Sequence, residues 1–135
     1  MAFAVVGGLR AIEFGTPGEM RRQLVDLVVN GNKRATAGLL SEYEDEGEPL
    51  EHVGERLAVV DDDGRHVATI RVTEVVISRF ADVPDRFALA EAEGDLNAAE
   101  FHASHIAFWA SVGTPVTEDM LIVQLYFELD GNAAI

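Results

Sequence analysis

The stretch that most constrains this chain is the run from His66 to Phe80, dense in Val, Ile and Thr and preceded by Arg56 to Val60 and Asp61-Asp62-Asp63-Gly64. β-Branched side chains suit a pleated surface, and Asp-Gly tolerates the positive φ angles of a tight hairpin turn. The segment therefore predicts a hairpin with an unusually long second strand. Alternation puts Ala68, Ile70, Val72 and Val76 on one face together with Glu74, and Thr69, Arg71 and Thr73 on the other. Leu121 to Leu129 predicts a final apolar strand.

Helices separate these strands. Thr16-Pro17-Gly18-Glu19 has the order of a capping box, with Thr16 as the cap and Pro17 at the first helical position. Met20, Leu24, Leu27 and Val28 then recur at helical spacing, and Gly31 stops a helix over about 17–30. Two further helices are predicted, Asp85 to Glu93 ending at Gly94, and one capped by Asn97 with Glu100 three positions on, running to about Val112. Ser41 to Glu55, rich in acidic residues and interrupted by Gly47, Pro49 and Gly54, reads as a solvated loop, and Asp130 to Ile135 as a frayed tail. Helix, strands, two helices, strand is an α+β order rather than an alternating parallel one.

At 135 residues with 48% apolar content, the chain fits one domain, 1–135, with a core supplied without staples. There is no cysteine, which removes disulfides, thiolate catalysis and cysteine-held zinc, and suits a reducing cytoplasm. Neither a signal peptide nor a membrane span is visible. The net charge of −14 disfavours bulk nucleic acid, whose non-specific affinity comes from Lys and Arg. Any RNA contact is then confined to a local cleft or one captured base. Of the ten basic residues only Lys33 is a lysine.

Three groups of residues stand out. Lys33 and Thr36 follow the first helix, where a desolvated lysine can serve as a base and a threonine as nucleophile or oxyanion donor. The helix macrodipole equally favours a lysine there for stability alone. Glu91, Glu93 and Asp95 crowd the junction of the second and third helices, but residues two apart on a helix diverge. At most one acid should meet Lys33, and Glu74 is the fallback. His102 and His105 lie three apart without an evident third ligand, amid Phe101, Phe108 and Trp109. A packed His105 is expected there, and neither a metal nor a cofactor.

The order of short motifs is informative beyond these groups. Gly31-Asn32-Lys33-Arg34-Ala35-Thr36-Ala37 resembles the signature of the ASCH family. Glu46-Gly47-Glu48-Pro49-Leu50, Ile70 to Val75, Glu91-Ala92-Glu93-Gly94-Asp95, Phe101 with His105, and Glu118-Asp119-Met120 follow in the family's order, over about 13–129. The resemblance implies a PUA-like fold, a small bent β-barrel with flanking helices. It also implies RNA or a modified nucleoside as partner. In the amidohydrolase branch, which deacylates acetylated cytidine, the catalytic roles fall on Lys33, Thr36 and Glu93. Arg34, Arg71, Thr73, Glu91 and His105 are then candidates for binding substrate. A single-stranded RNA ribonuclease and a non-catalytic RNA- or nucleotide-binding module are the alternatives. Two positions depart from the pattern: Arg34 stands for a usual threonine and Ala92 for a usual glycine.

Overall fold

The computed structural model describes residues 4–130; most of the tail read as frayed, residues 131–135, lies outside them. The chain runs β1 (Val5–Val6), β2 (Leu9–Ile12), α1 (Glu19–Val29), β3 (Ala35–Leu39), α2 (Leu40–Glu46), β4 (Arg56–Val60) and β5 (His66–Arg79). A 3-10 turn, Phe80–Asp82, then leads to α3 (Asp85–Glu91), α4 (Ala98–Ser111) and β6 (Leu121–Leu129). Six strands form one sheet in the order β1-β2-β4-β5-β6-β3. Among the described residues only β2 and β4 run parallel, Ala11 opposite Ala58. No helix among the described residues is long and apolar enough to cross a membrane.

The expected barrel is not closed. Among the described residues β2 and β3 share no ladder, yet Ala11, Ile12 and Glu13 face Thr36, Ala37 and Gly38 across a cavity. The sheet thus bends until its two ends confront each other, and the seam stays open. Core residues fill both sides of it. On one side Ile70, Val72, Val123, Leu125 and Phe127 pack with Phe14, Leu24, Val28 and Tyr43. On the other, Ala35, Leu39, Ile122 and Tyr126 pack with Phe80, Phe87, Phe101 and Trp109. Alternate residues of β6 serve opposite cores, which is why that strand reads as almost continuously apolar.

Four local expectations change. Thr16 does not cap α1: Gly18 occupies the cap with φ 104° and makes no side-chain cap bond. Instead its N–H donates to Asp62 Oδ2 at 2.9 Å, so the β4–β5 turn caps the helix from outside. Part of the acidic stretch is α2, because Leu40 and Tyr43 turn a face to the core, and Gly47 ends the helix at φ 66°. The Tyr43 hydroxyl donates to the buried Glu51 at 2.8 Å. The strands β1 and β2, joined through Gly7-Gly8, had no counterpart in the sequence reading.

The face assignment of β5 also fails beyond Val72. Its register against β6 slips between Val72 and Glu74, a bulge at Thr73. A bulge reverses which face the following residues take. Val76 therefore packs in the second core rather than with Ile70 and Val72, and Glu74 turns outward to pair with Arg86 at 3.0 Å.

Candidate functional site

Lys33 is the centre of the site. Its backbone N–H donates to Leu27 O at 3.0 Å, closing the end of α1, and Arg34 N–H donates to Ala90 O at 2.7 Å, tying this turn to α3. The lysine side chain is fully enclosed. Its Nζ donates to Glu93 Oε2 in a short contact and to the Glu91 carbonyl at 3.3 Å, and lies 3.9 Å from Glu91 Oε2. The ring of Phe14 closes the other side, 5.7 Å from Nζ to centroid. A buried ammonium with one aligned carboxylate and a second nearby is compensated rather than stranded.

Both acids reach the lysine because the helix ends between them. α3 stops at Glu91, and Ala92 adopts φ 57°, the left-handed region that favours glycine. The helical geometry that would have separated the two carboxylates therefore no longer applies at Glu93. Ala92 thus holds a backbone conformation that glycine adopts without strain.

His105 completes the group from α4. Its ring stacks on Phe101 at 3.9 Å between centroids. Nε2 approaches Glu91 Oε1 at 3.2 Å, although that oxygen has no well-aligned hydrogen bond among the described residues. Nδ1 lies 3.1 Å from the Phe101 carbonyl. Burial pushes the imidazole pKa down, but the contact with Glu91 and its charge, then Glu93 and the Phe101 carbonyl, outweigh burial and hold it above the usual histidine range. Both ring nitrogens face acceptors, which the doubly protonated ring satisfies.

A cavity of about 230 Å³ opens beside this group. Thr36, Glu91, Glu93, Asp95, Ser104 and His105 supply its polar wall, and Phe14, Phe108 and Trp109 much of its apolar wall. Lys33 is not part of the lining; it stands behind Glu91 and Glu93. Buried Arg21 fixes Phe14, donating to the Phe14 carbonyl at 3.2 Å and the Gly15 carbonyl at 3.0 Å. Ser104 donates to Asp95 at 2.7 Å. Glu91, Glu93 and His105 each offer a ligand atom within 4.8 Å of the others, a grouping suited to a cation. The Lys33 ammonium already brings positive charge to those two carboxylates.

The sequence-predicted residues therefore divide. Thr36, Glu91, Glu93 and His105 meet at the cavity, with Lys33 directly behind. Arg71 and Thr73 do not: Arg71 pairs with Glu128 in the open, and Thr73 is exposed at the bulge. Arg34 is exposed and absent from the lining. Glu74 belongs to Arg86, so the acids facing the lysine are Glu93 and Glu91. His102 points elsewhere, its Nε2 2.8 Å from the Phe80 carbonyl. Phe14, Ser104 and Trp109 were not singled out as site residues, since a lone aromatic before a turn and a serine within a helix carry no spacing signal.

Two solved structures are similar over most of this chain. The ASCH domain from Lactobacillus crispatus JV V101 matches with a TM-score of 0.75 and 30% identity, over 88% of this chain and 77% of that one. Protein EF3133 from Enterococcus faecalis V583 matches with a TM-score of 0.73 and 32% identity, over 87% and 75%. No curated protein matches. The ASCH domain model matches residues 10–129, which span the lysine turn, the two acids and both flanking helices, and the chain therefore belongs to the ASCH family.

Proposed function

We propose that the chain binds a modified nucleoside at the Thr36–Glu93 cavity and hydrolyses an N-acyl amide on it, of the acetylated cytidine type. The observation that supports this is the convergence of Thr36 and Glu93 on one cavity, with Lys33 holding Glu93 from behind. Membership of a family linked to RNA supports a nucleoside-type ligand, and the cavity's size supports a small one. At about 230 Å³ it lies below the usual range of ligand pockets, about 300–1,000 Å³, and suits one nucleoside rather than several.

In this reading Glu93 takes a proton from water, whose oxygen forms a bond to the acyl carbon while the Thr36 hydroxyl donates to the developing oxyanion. The C–N bond then breaks, and the proton held by Glu93 passes to the leaving nitrogen. Lys33, enclosed and turned to carboxylates, is a positioning residue rather than the attacking group. Phosphodiester cleavage fits less well, because Glu91, Glu93 and Asp95 line the wall that a phosphate would approach.

Hydrolysis of N4-acetylcytidine, followed by loss of its acetyl group, tests this. Wild type should turn over, Glu93→Gln should lower kcat by about 10²–10⁴-fold, and Thr36→Val by about 10²–10³-fold. Binding of the nucleoside without any turnover would sink the enzymatic half and leave a binding module.

A further inference from the structure

The edge of β3 faces the open seam and has β6 as its strand partner. Phe127 N–H donates to the Arg34 carbonyl at 2.9 Å. With the register Thr36 to Leu125 and Gly38 to Val123, that bond fixes Thr36 and Gly38 as the residues whose peptide groups bond to β6. The N–H and C=O of Ala37 must then both point away from β6, into the seam. Ala37 lines the 230 Å³ cavity and also the neighbouring one of about 530 Å³, which lies between β2 and β3. A half-buried donor and acceptor side by side at a cavity wall suit a ligand that returns both bonds in place of water.

We propose that the outward N–H and C=O of Ala37 read the hydrogen-bonding edge of the nucleobase, the N–H donating to a ring nitrogen and the C=O accepting from the adjacent N–H. This rests on the nucleoside reading above and adds the recognition element to it. An amidine edge, ring N3 beside exocyclic N4–H in a cytosine, has this acceptor–donor pair held in one plane; an ionised phosphate has no donor, and a sugar's freely rotating hydroxyls fix no such order. An added peptide strand fits poorly, because it needs successive outward peptides. Leu39, the next one, is buried at the cap of α2, where the chain leaves the strand, and Ala35 is fully buried. The side chain of Ala37 packs toward the second core, so recognition here is by backbone and leaves no mark in residue type.

Amide NMR of the intact chain titrated with cytidine, the hydrolysis product, which keeps ring N3 beside N4–H, tests the inference, together with Ala37→Pro. Proline removes only the outward N–H, and edge strands accept it on that side. The expected results are a downfield shift of the Ala37 amide proton and about tenfold weaker binding by a folded Ala37→Pro. Binding that leaves the Ala37 amide unmoved, or a folded Ala37→Pro with wild-type affinity, would overturn the inference alone and spare the nucleoside reading. Should Ala37→Pro fail to fold, the wild-type amide titration decides by itself. Absence of any nucleoside binding by wild type overturns both.

Discussion

A single buried lysine gathers three oxygens of Glu91 and Glu93 at the end of α3, and its loss should be felt first in stability. Lys33→Met keeps the length of the side chain but leaves Glu93 and Glu91 facing each other without the ammonium, which should cost about 3–5 kcal/mol in urea unfolding. Adding Glu93→Gln should recover part of that loss, because the two changes remove one interaction. Ala92→Gly should act in the opposite direction. It releases a left-handed alanine and should raise stability by up to about 1 kcal/mol, read as a higher urea midpoint. The folded pKa of His105 is raised, so its contribution is fully present below the usual histidine value near ~6.5. It is lost as pH rises through the folded value. His105→Gln should remove that fall in stability with rising pH. At this scale Lys33, Thr36 and Glu93 were legible in the sequence through the family motif. The inward turn of both acids was not, because it depends on the backbone of Ala92, which residue type does not announce.

Elements set by side-chain periodicity were the legible ones. The helix at 98–112 and its Asn97 cap appear as α4, with Asn97 Oδ1 accepting from Glu100 N–H at 2.9 Å, and the Asp-Gly turn joins β4 to β5. Elements whose order comes from distant partners were not. α2 hides in an acidic stretch because its fold depends on Tyr43 reaching Glu51 and on Arg10, from β2, drawing in Glu48 and Glu55. Tyr43→Phe should therefore strand the buried Glu51 oxygen and cost about 1–3 kcal/mol, a drop measurable by thermal unfolding. The bulge at Thr73 was equally invisible. Strict alternation placed Glu74 among apolar residues, and one extra residue in the ladder sends it to Arg86 instead. Arg71 and Thr73 lost their proposed place at the cleft because their face of β5 looks to solvent.

Over the whole molecule, the α+β order was readable from strand and helix signals, while the open seam between β2 and β3 was not, since β2 itself was missed. That seam matters most for function: a closed barrel would pair Ala37 and fill the cavities, whereas the open one leaves room for one planar ligand. A net charge of −14 surrounds it, and the cavity wall contributes Glu91, Glu93 and Asp95. Such a molecule should bind without phosphate contacts. The central claim, capture of one nucleoside rather than a length of RNA, is tested most directly by the affinities for cytidine, the hydrolysis product, and for a short single strand ending in it, each as a function of salt. The account predicts a slope of log K against log salt near zero, with no gain in affinity on extending the ligand to a short single strand. Each neutralised phosphate on a single strand contributes about −0.7 to that slope. A slope of several, with tighter binding to the longer strand, would contradict it.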